Sequence, residues 1–143
     1  MTKLNPYLNF GGNAEEAFNF YKSVFGGEFS SMVKFKDMPT EGAPVSEADG
    51  DKIMHMALPI GDELLMASDA LESFGQTVTP GNNSYISVHP ATKDEADRIF
   101  NALSEGAEIE MPIDDQMWGD YFGSLKDKFG IGWMVNYNST YPG

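Results

Sequence analysis

Apolar residues recur along the chain in two alternating rhythms, one of helical and one of strand period, and the same succession returns in the second half. From Asn13 to Phe25 the residues Ala14, Ala17, Phe18, Tyr21, Val24 and Phe25 fall at three- and four-residue steps. That spacing lines them along one side of a helix. Asn13 is placed to cap it, Glu15 and Glu16 suit the positive end of its dipole, and Gly26-Gly27 ends it where a left-handed residue is tolerated. Within Lys3 to Phe10, Leu8 and Phe10 alternate with Tyr7 and Asn9, the period of a half-buried strand whose apolar face carries the helix.

The rest of the chain reads in the same way. Glu28 to Lys36, with Phe29, Val33 and Phe35, predicts a strand of imperfect alternation. Asp37 to Asp51, DMPTEGAPVSEADGD, holds two prolines, two glycines and five acids, which predicts a mobile loop able to act as a lid. Lys52 to Ile60 and Glu63 to Ser68 predict a hairpin turning at Gly61-Asp62. Residues 70–82, with Gly75 and Pro80-Gly81, read as a linker between two modules, 1–69 and 83–138, of a single domain. The second module runs as strand Ser84 to His89, helix Lys93 to Glu105, strand Ala107 to Met111, and a hairpin of Tyr121 to Lys126 and Ile131 to Tyr137 turning at Phe129-Gly130.

The two halves align on each other. Glu16-Ala17 recurs as Glu95-Ala96, 79 residues on, and Leu8 and Phe10 recur as Ile86 and Val88, 78 residues on. At a shift of 69, His55 falls on Ser124 and Leu64-Leu65-Met66 on Trp133-Met134-Val135. A duplicated βαβββ order excludes a doubly wound sheet and predicts an α+β fold, each module a sheet with one helix on it. The other face of each sheet is left for a cavity or a partner.

Strand parity predicts what that face carries. If Leu8, Phe10, Ile86 and Val88 point to the helices, then Asn5, Tyr7, Asn9, Asn83, Tyr85 and Ser87 point away. His55 and Ala57 alternate with Met54, Met56 and Leu58, while Leu65, Ala67 and Asp69 are matched with Met134, Asn136 and Asn138 on the free face. Asparagines, tyrosines, a histidine and a serine among apolar residues are the mixture of a small-molecule pocket, or of polar groups that satisfy one another in a curved sheet.

Composition narrows the partners. Of 143 residues, 41% are apolar, which makes one compact domain, and 9 basic against 22 acidic residues give a net charge of -13. A nucleic-acid backbone or an anionic membrane would be repelled. Without cysteine there is no disulfide, thiolate metal site or thiol nucleophile. No apolar run reaches about 18 residues and MTKLNPY lacks a signal-peptide core, so a soluble, cytoplasmic protein is expected. Neither glycine pair forms a phosphate loop, because the spacing is wrong and no lysine follows.

Three blocks carry a resemblance: YLNFGGNAEEAFNFYKSVFGGE, IMHMALPIGDELLMASD and FGSLKDKFGIGWMVNY. With the duplicated βαβββ order they resemble the vicinal-oxygen-chelate superfamily of glyoxalases, bleomycin-resistance proteins and dioxygenases, and within it the PhnB-like (3-demethylubiquinone methyltransferase-like) branch. The resemblance implies two modules that pair their sheets into a cupped mixed sheet, usually as a homodimer, and metal ligands on the first, fourth, fifth and eighth strands. Those positions fall at Asn5, at Leu65 or Met66, at Asn83 and at Met134, none of them His, Asp or Glu. Asparagine is a weak ligand and leucine or methionine cannot replace a carboxylate, so no metal and no cofactor is expected.

His55, in the middle of an apolar strand, is either a hydrogen-bonded core residue or a pocket acid or base. Trp118, in MWGDYFG, would stack on a flat ligand or serve in packing, and Asp69 either faces a ligand or caps the turn into Ala70-Leu71. Asp114-Asp115 reads as a solvated turn. The expected ligand contacts are Tyr7, Asn9, Asp69, Tyr85, Ser87, Trp118, Phe122 and Asn136, with His55 as acid or base. The expected function is metal-free small-molecule binding with no assigned activity. The alternatives are a bleomycin-type drug-binding protein, taking a cationic aromatic compound between acidic and aromatic walls, and a metal-dependent isomerase, lyase or dioxygenase with unusual ligands. No adenosylmethionine loop supports methyl transfer.

Overall fold

The structure, a computed structural model, describes residues 2–37 and 45–139. Its elements are β1 (Tyr7–Phe10), α1 (Ala14–Phe25), β2 (Ser31–Lys34), α2 (Glu47–Gly50), β3 (Ile53–Ile60), β4 (Glu63–Asp69), β5 (Ile86–Val88), α3 (Lys93–Leu103), β6 (Glu108–Asp115), β7 (Tyr121–Lys126) and β8 (Gly132–Tyr137). They fall into two compact units, Met1–Thr79 and Pro80–Gly143. Each unit holds one four-stranded mixed sheet, in the orders β1-β4-β3-β2 and β5-β8-β7-β6. The first and last strand of each unit pair in parallel and the other pairs are antiparallel. The duplicated α+β plan is therefore present.

In the first unit α1 buries Ala14, Ala17, Phe18, Tyr21 and Val24. These side chains belong with Met56, Leu58, Leu65 and Ala67, all nearly closed to solvent, and Phe10 meets the edge of Phe18 with ring centroids 6.3 Å apart. Asn13 stands at the helix start but its side chain makes no capping bond. Asp69 takes that place: Oδ1 accepts from the backbone N–H of Gly12 and of Ala14, both at 3.0 Å, and Oδ2 accepts from Ile53 N–H at 2.8 Å. A buried carboxylate with three donors ties β1, α1, β3 and β4 at one point.

The ladders correct the parity of β4. Leu8 lies beside Ala67 and Phe10 beside Asp69, so Leu65, Ala67 and Asp69 are on the helix side and Leu64, Met66 and Ser68 on the other. The second hairpin is shorter. Ala57 opposite Met66 is separated from it by residues 58–65, whereas Lys126 opposite Gly132 is separated from it by residues 127–131. The shift of 69 that matches His55 with Ser124 thus becomes 66 in the next strand, where Ala67 matches Trp133 and Asp69 matches Val135. Leu65 and Met134, equated in the sequence, lie on opposite faces.

Two other segments differ from the expectation. Of Asp37 to Asp51, residues 38–44 lie outside the described residues, and with them the proposed lid. The described part forms α2, capped by Ser46 Oγ accepting from Asp49 N–H at 3.2 Å. The buried Asp49 carboxylate accepts from Ser73 Oγ at 2.7 Å and pairs with Lys52 at 2.8 Å. β6 runs past Met111 to Asp115, so Asp114-Asp115 is strand and not turn. Pro112 has no N–H to give the ladder, and the register slips on both sides of Met111.

In the second unit α3 is capped by Thr92 Oγ1, which accepts from Glu95 N–H at 3.1 Å. Its Phe100 lies on Gly123, where an added Cβ would come within 2.8 Å of the Ile113 Cα. The loop from β7 to β8 is organised by the buried Asp127, whose Oδ1 accepts from Phe129 and Ile131 N–H and whose Oδ2 accepts from the Trp133 indole, at 2.8, 3.0 and 2.8 Å. No helix among the described residues is long and apolar enough to cross a membrane.

Candidate functional site

The sheet faces turned away from α1 and α3 hold most of the candidates. On the first unit one row runs Ser31, Ala57, Met66, Tyr7, with His55 beside Val33 and Asn9 beside Ser68 in the adjoining row. Tyr7 Oη lies 3.4 Å from His55 Nδ1, with ring centroids 5.9 Å apart. Ser68 Oγ donates to Asn9 Oδ1 at 3.3 Å. His55 is half-buried and Tyr7 is 46% exposed. The structure therefore brings Tyr7, His55 and Asn9 together on one surface, with an imidazole held through one nitrogen. Asp69 is on the opposite side with its oxygens engaged by backbone.

The second unit repeats these rows with other side chains. Asp114 lies beside Phe122 and Phe122 beside Asn136. The next row is Met111, Ser124, Met134, Ser87, and the next Glu108, Lys126, Gly132. Tyr85 crosses this last row: a Cβ on Gly132 would stand 2.8 Å from the Tyr85 ring, and Tyr85 Oη donates to Glu110 Oε1 at 2.7 Å. That hydrogen bond, then burial and the charges of Glu110 and Glu108, raises the Tyr85 pKa. Ser87 Oγ is 3.1 Å from His89 Nε2.

Trp118 stands at the exposed tip between β6 and β7, 58% exposed beside the fully exposed Met117. Its ring meets the Phe122 ring edge-on, centroids 6.1 Å apart. Asn136, across the ladder from Phe122, has a side-chain oxygen closed to solvent that receives no hydrogen bond, the one such side-chain atom among the described residues. An orphaned buried carbonyl costs about 1–3 kcal/mol. Trp118, Phe122 and Asn136 are thus one cluster, and Asp114, in a strand and not in the expected turn, joins it. On the helix side Tyr121 Oη donates to Asp97, and this bond, followed by burial and the surrounding carboxylates, pushes its pKa up to about 12.

The positions at which the resemblance puts metal ligands carry side chains of poor donor chemistry. Asn5 Oδ1 accepts from Leu64 N–H at 3.0 Å, Leu65 is buried on the helix side and its neighbour Met66 faces the other way, Asn83 is exposed, and Met66 and Met134 offer only thioethers. Among the described residues no three His, Cys, Asp or Glu gather as a metal-binding group. A depression of about 330 Å³ beside α2 is lined by Lys36, Val45, Ser46, Glu47, Gly50 and Asp51, none of them a candidate from the sequence. Asp127, Glu110 and Gly132 take parts here that the sequence pattern does not single out. Asp127 alone had a local signal, an acid opening a turn that closes on glycine.

Comparison with known proteins gives consistent relatives. Residues 2–136 match the family described as 3-demethylubiquinone-9 3-methyltransferase. Protein YjdN of Escherichia coli K12 is 31% identical, covering 97% of each chain. The crystal structure of protein PA1353 from Pseudomonas aeruginosa is 38% identical with a TM-score of 0.85, covering 96% of this chain and 98% of that one. A putative 3-demethylubiquinone-9 3-methyltransferase, PhnB protein, from Bacillus cereus is 28% identical with a TM-score of 0.74, covering 95% and 99%. A glyoxalase/bleomycin resistance protein/dioxygenase family enzyme from Burkholderia phytofirmans PsJN, 17% identical over 92% of this chain and 95% of its own, shares the fold with a TM-score of 0.57.

Proposed function

The chain belongs to the 3-demethylubiquinone-9 3-methyltransferase family, in the PhnB-like branch of the glyoxalase/bleomycin-resistance/dioxygenase superfamily, and from that membership we propose that it binds a small molecule on the sheet faces turned away from its helices, without the usual metal centre. The observation that carries this reading is the Asn136 side-chain oxygen, buried without a donor beside Phe122 and its ring partner Trp118. A ligand that supplies the missing donor converts a destabilising feature into an attractive one. His55 serves as acid or base on the first unit, with Tyr7 holding Nδ1.

The metal-free part of the reading rests on donor chemistry at Asn5, Leu65 or Met66, Asn83 and Met134. The methyl transfer in the family's description gains no support from the glycine pair before α1, because the Gly12 and Ala14 N–H groups already donate to Asp69 and are not open to the carboxylate of an adenosylmethionine. A homodimer belongs to the same reading and is tested by light scattering.

Metal content measured by mass spectrometry, before and after incubation with Ni, Zn, Fe(II), Mn and Mg followed by desalting, is expected to show no stoichiometric metal. One metal retained per chain would overturn the metal-free reading. A small-molecule library screened by thermal shift is expected to give hits that Asn136→Leu weakens. Hits indifferent to both Asn136→Leu and His55→Ala would place the ligand elsewhere.

A further inference from the structure

The row Asp114, Phe122, Asn136 is built from acceptors and π-faces. Asn136 presents an unused carbonyl. Asp114 presents an exposed carboxylate, one oxygen of which accepts from Asp115 N–H at 2.8 Å. Phe122 lies between them in the ladder, and Trp118 adds an exposed indole. The lysine of the same face, Lys126, stands two rows away, opposite Glu108. Lys93 lies on the helix side, paired with Asp115 at 3.5 Å and over the Tyr121 ring at 4.4 Å. The row therefore offers negative potential, aromatic faces and an acceptor without a donor, and no cation of its own.

We infer that this row takes a primary ammonium group, whose N–H donors meet the Asn136 oxygen while its charge is held by Asp114 and the Trp118 and Phe122 rings. The inference rests on the reading that this row is the ligand site. A carboxylate or phosphate ligand would face Asp114 and leave the carbonyl orphaned. A quaternary ammonium would satisfy the rings but bring no N–H donor. An alcohol would bring a donor without the charge. Because the Asn136 oxygen is closed to water, the ligand reaches it as a neighbouring side chain turns aside.

The test is a titration of the ¹⁵N-labelled full chain with butylamine at neutral pH, with tetramethylammonium and 1-butanol as controls. The Trp118 indole and Asn136 side-chain amide resonances report binding. Butylammonium is expected to move both, with affinity about tenfold above either control, and Asn136→Leu to remove about a tenfold factor while folding normally. Asp114→Asn is expected to weaken binding in proportion to the lost charge. Equal effects of 1-butanol or tetramethylammonium would overturn the ammonium inference and leave a small-molecule site standing. Silence of both resonances to all three probes and to the hits of the library screen would overturn the site as well.

Discussion

The two units share strand order, ladder and helix placement, yet each is braced and furnished differently. In the first, Asp69 gathers three backbone N–H groups where β1, α1, β3 and β4 converge. In the second, Val135 has the matching place, Thr92 caps the helix, and the buried carboxylate has moved to Asp127 in the hairpin loop. The faces diverge as well: Tyr7 meets an imidazole in one unit, while its counterpart Tyr85 meets a carboxylate in the other. A duplicated scaffold can relocate a buried charge provided that each carboxylate keeps its own set of donors. It can also place candidate chemistry on one half and an unfilled acceptor on the other.

The largest effect should come from removing the brace of the first unit. Asp69→Ala leaves three N–H groups without an acceptor and is expected to cost about 3–5 kcal/mol in urea unfolding. Val135→Ala, at the matching place, is expected to cost about 1–2 kcal/mol. Equal losses would mean that the units are braced alike. Asp127→Ala should cost about 2–4 kcal/mol and change Trp133 fluorescence, since the indole loses its acceptor. An unchanged emission spectrum would argue against the bond.

Gly123→Ala brings a methyl group against Ile113 and Phe100 and is expected to cost about 1–3 kcal/mol. Gly61→Ala meets open space and strains only a turn with a positive φ of 59°, so its cost should be about 1 kcal/mol. Reversal of that order would relocate the tight packing. The smallest effect is on pH dependence. Tyr121 is held up to about 12 by Asp97, so its contribution is complete below the ordinary phenol value near 10 and is lost as pH rises toward 12. Tyr121→Phe should flatten that alkaline loss, and an unchanged slope would assign it to other groups.

What was legible in the sequence were features with a local period. The stripes of α1 and α3, the alternation of β1 and the tight turn at Gly61 are properties of neighbouring residues. The face of β4 differs from the sequence expectation because it depends on register, and a hairpin shorter by three residues reverses parity when copies are aligned without a gap. The bracing role of Asp69 has no local signal because its three partners, Gly12, Ala14 and Ile53, are up to 57 residues away. Trp118, Phe122 and Asn136 are each expected ligand contacts, but only the ladder and the ring contact bring them together, and Asp114 joins them through a strand that continues past Pro112.

By itself, then, the sequence determined the duplicated βαβββ order, the helix faces and the family, because these follow from periodicity and from short motifs. Tertiary structure alone decided which side of β4 meets α1, that Asp69 and Asp127 are braces, and that Asn136 holds an oxygen without a donor. Register, burial and the tally of hydrogen-bond partners depend on residues far apart in the chain, and no local pattern records them.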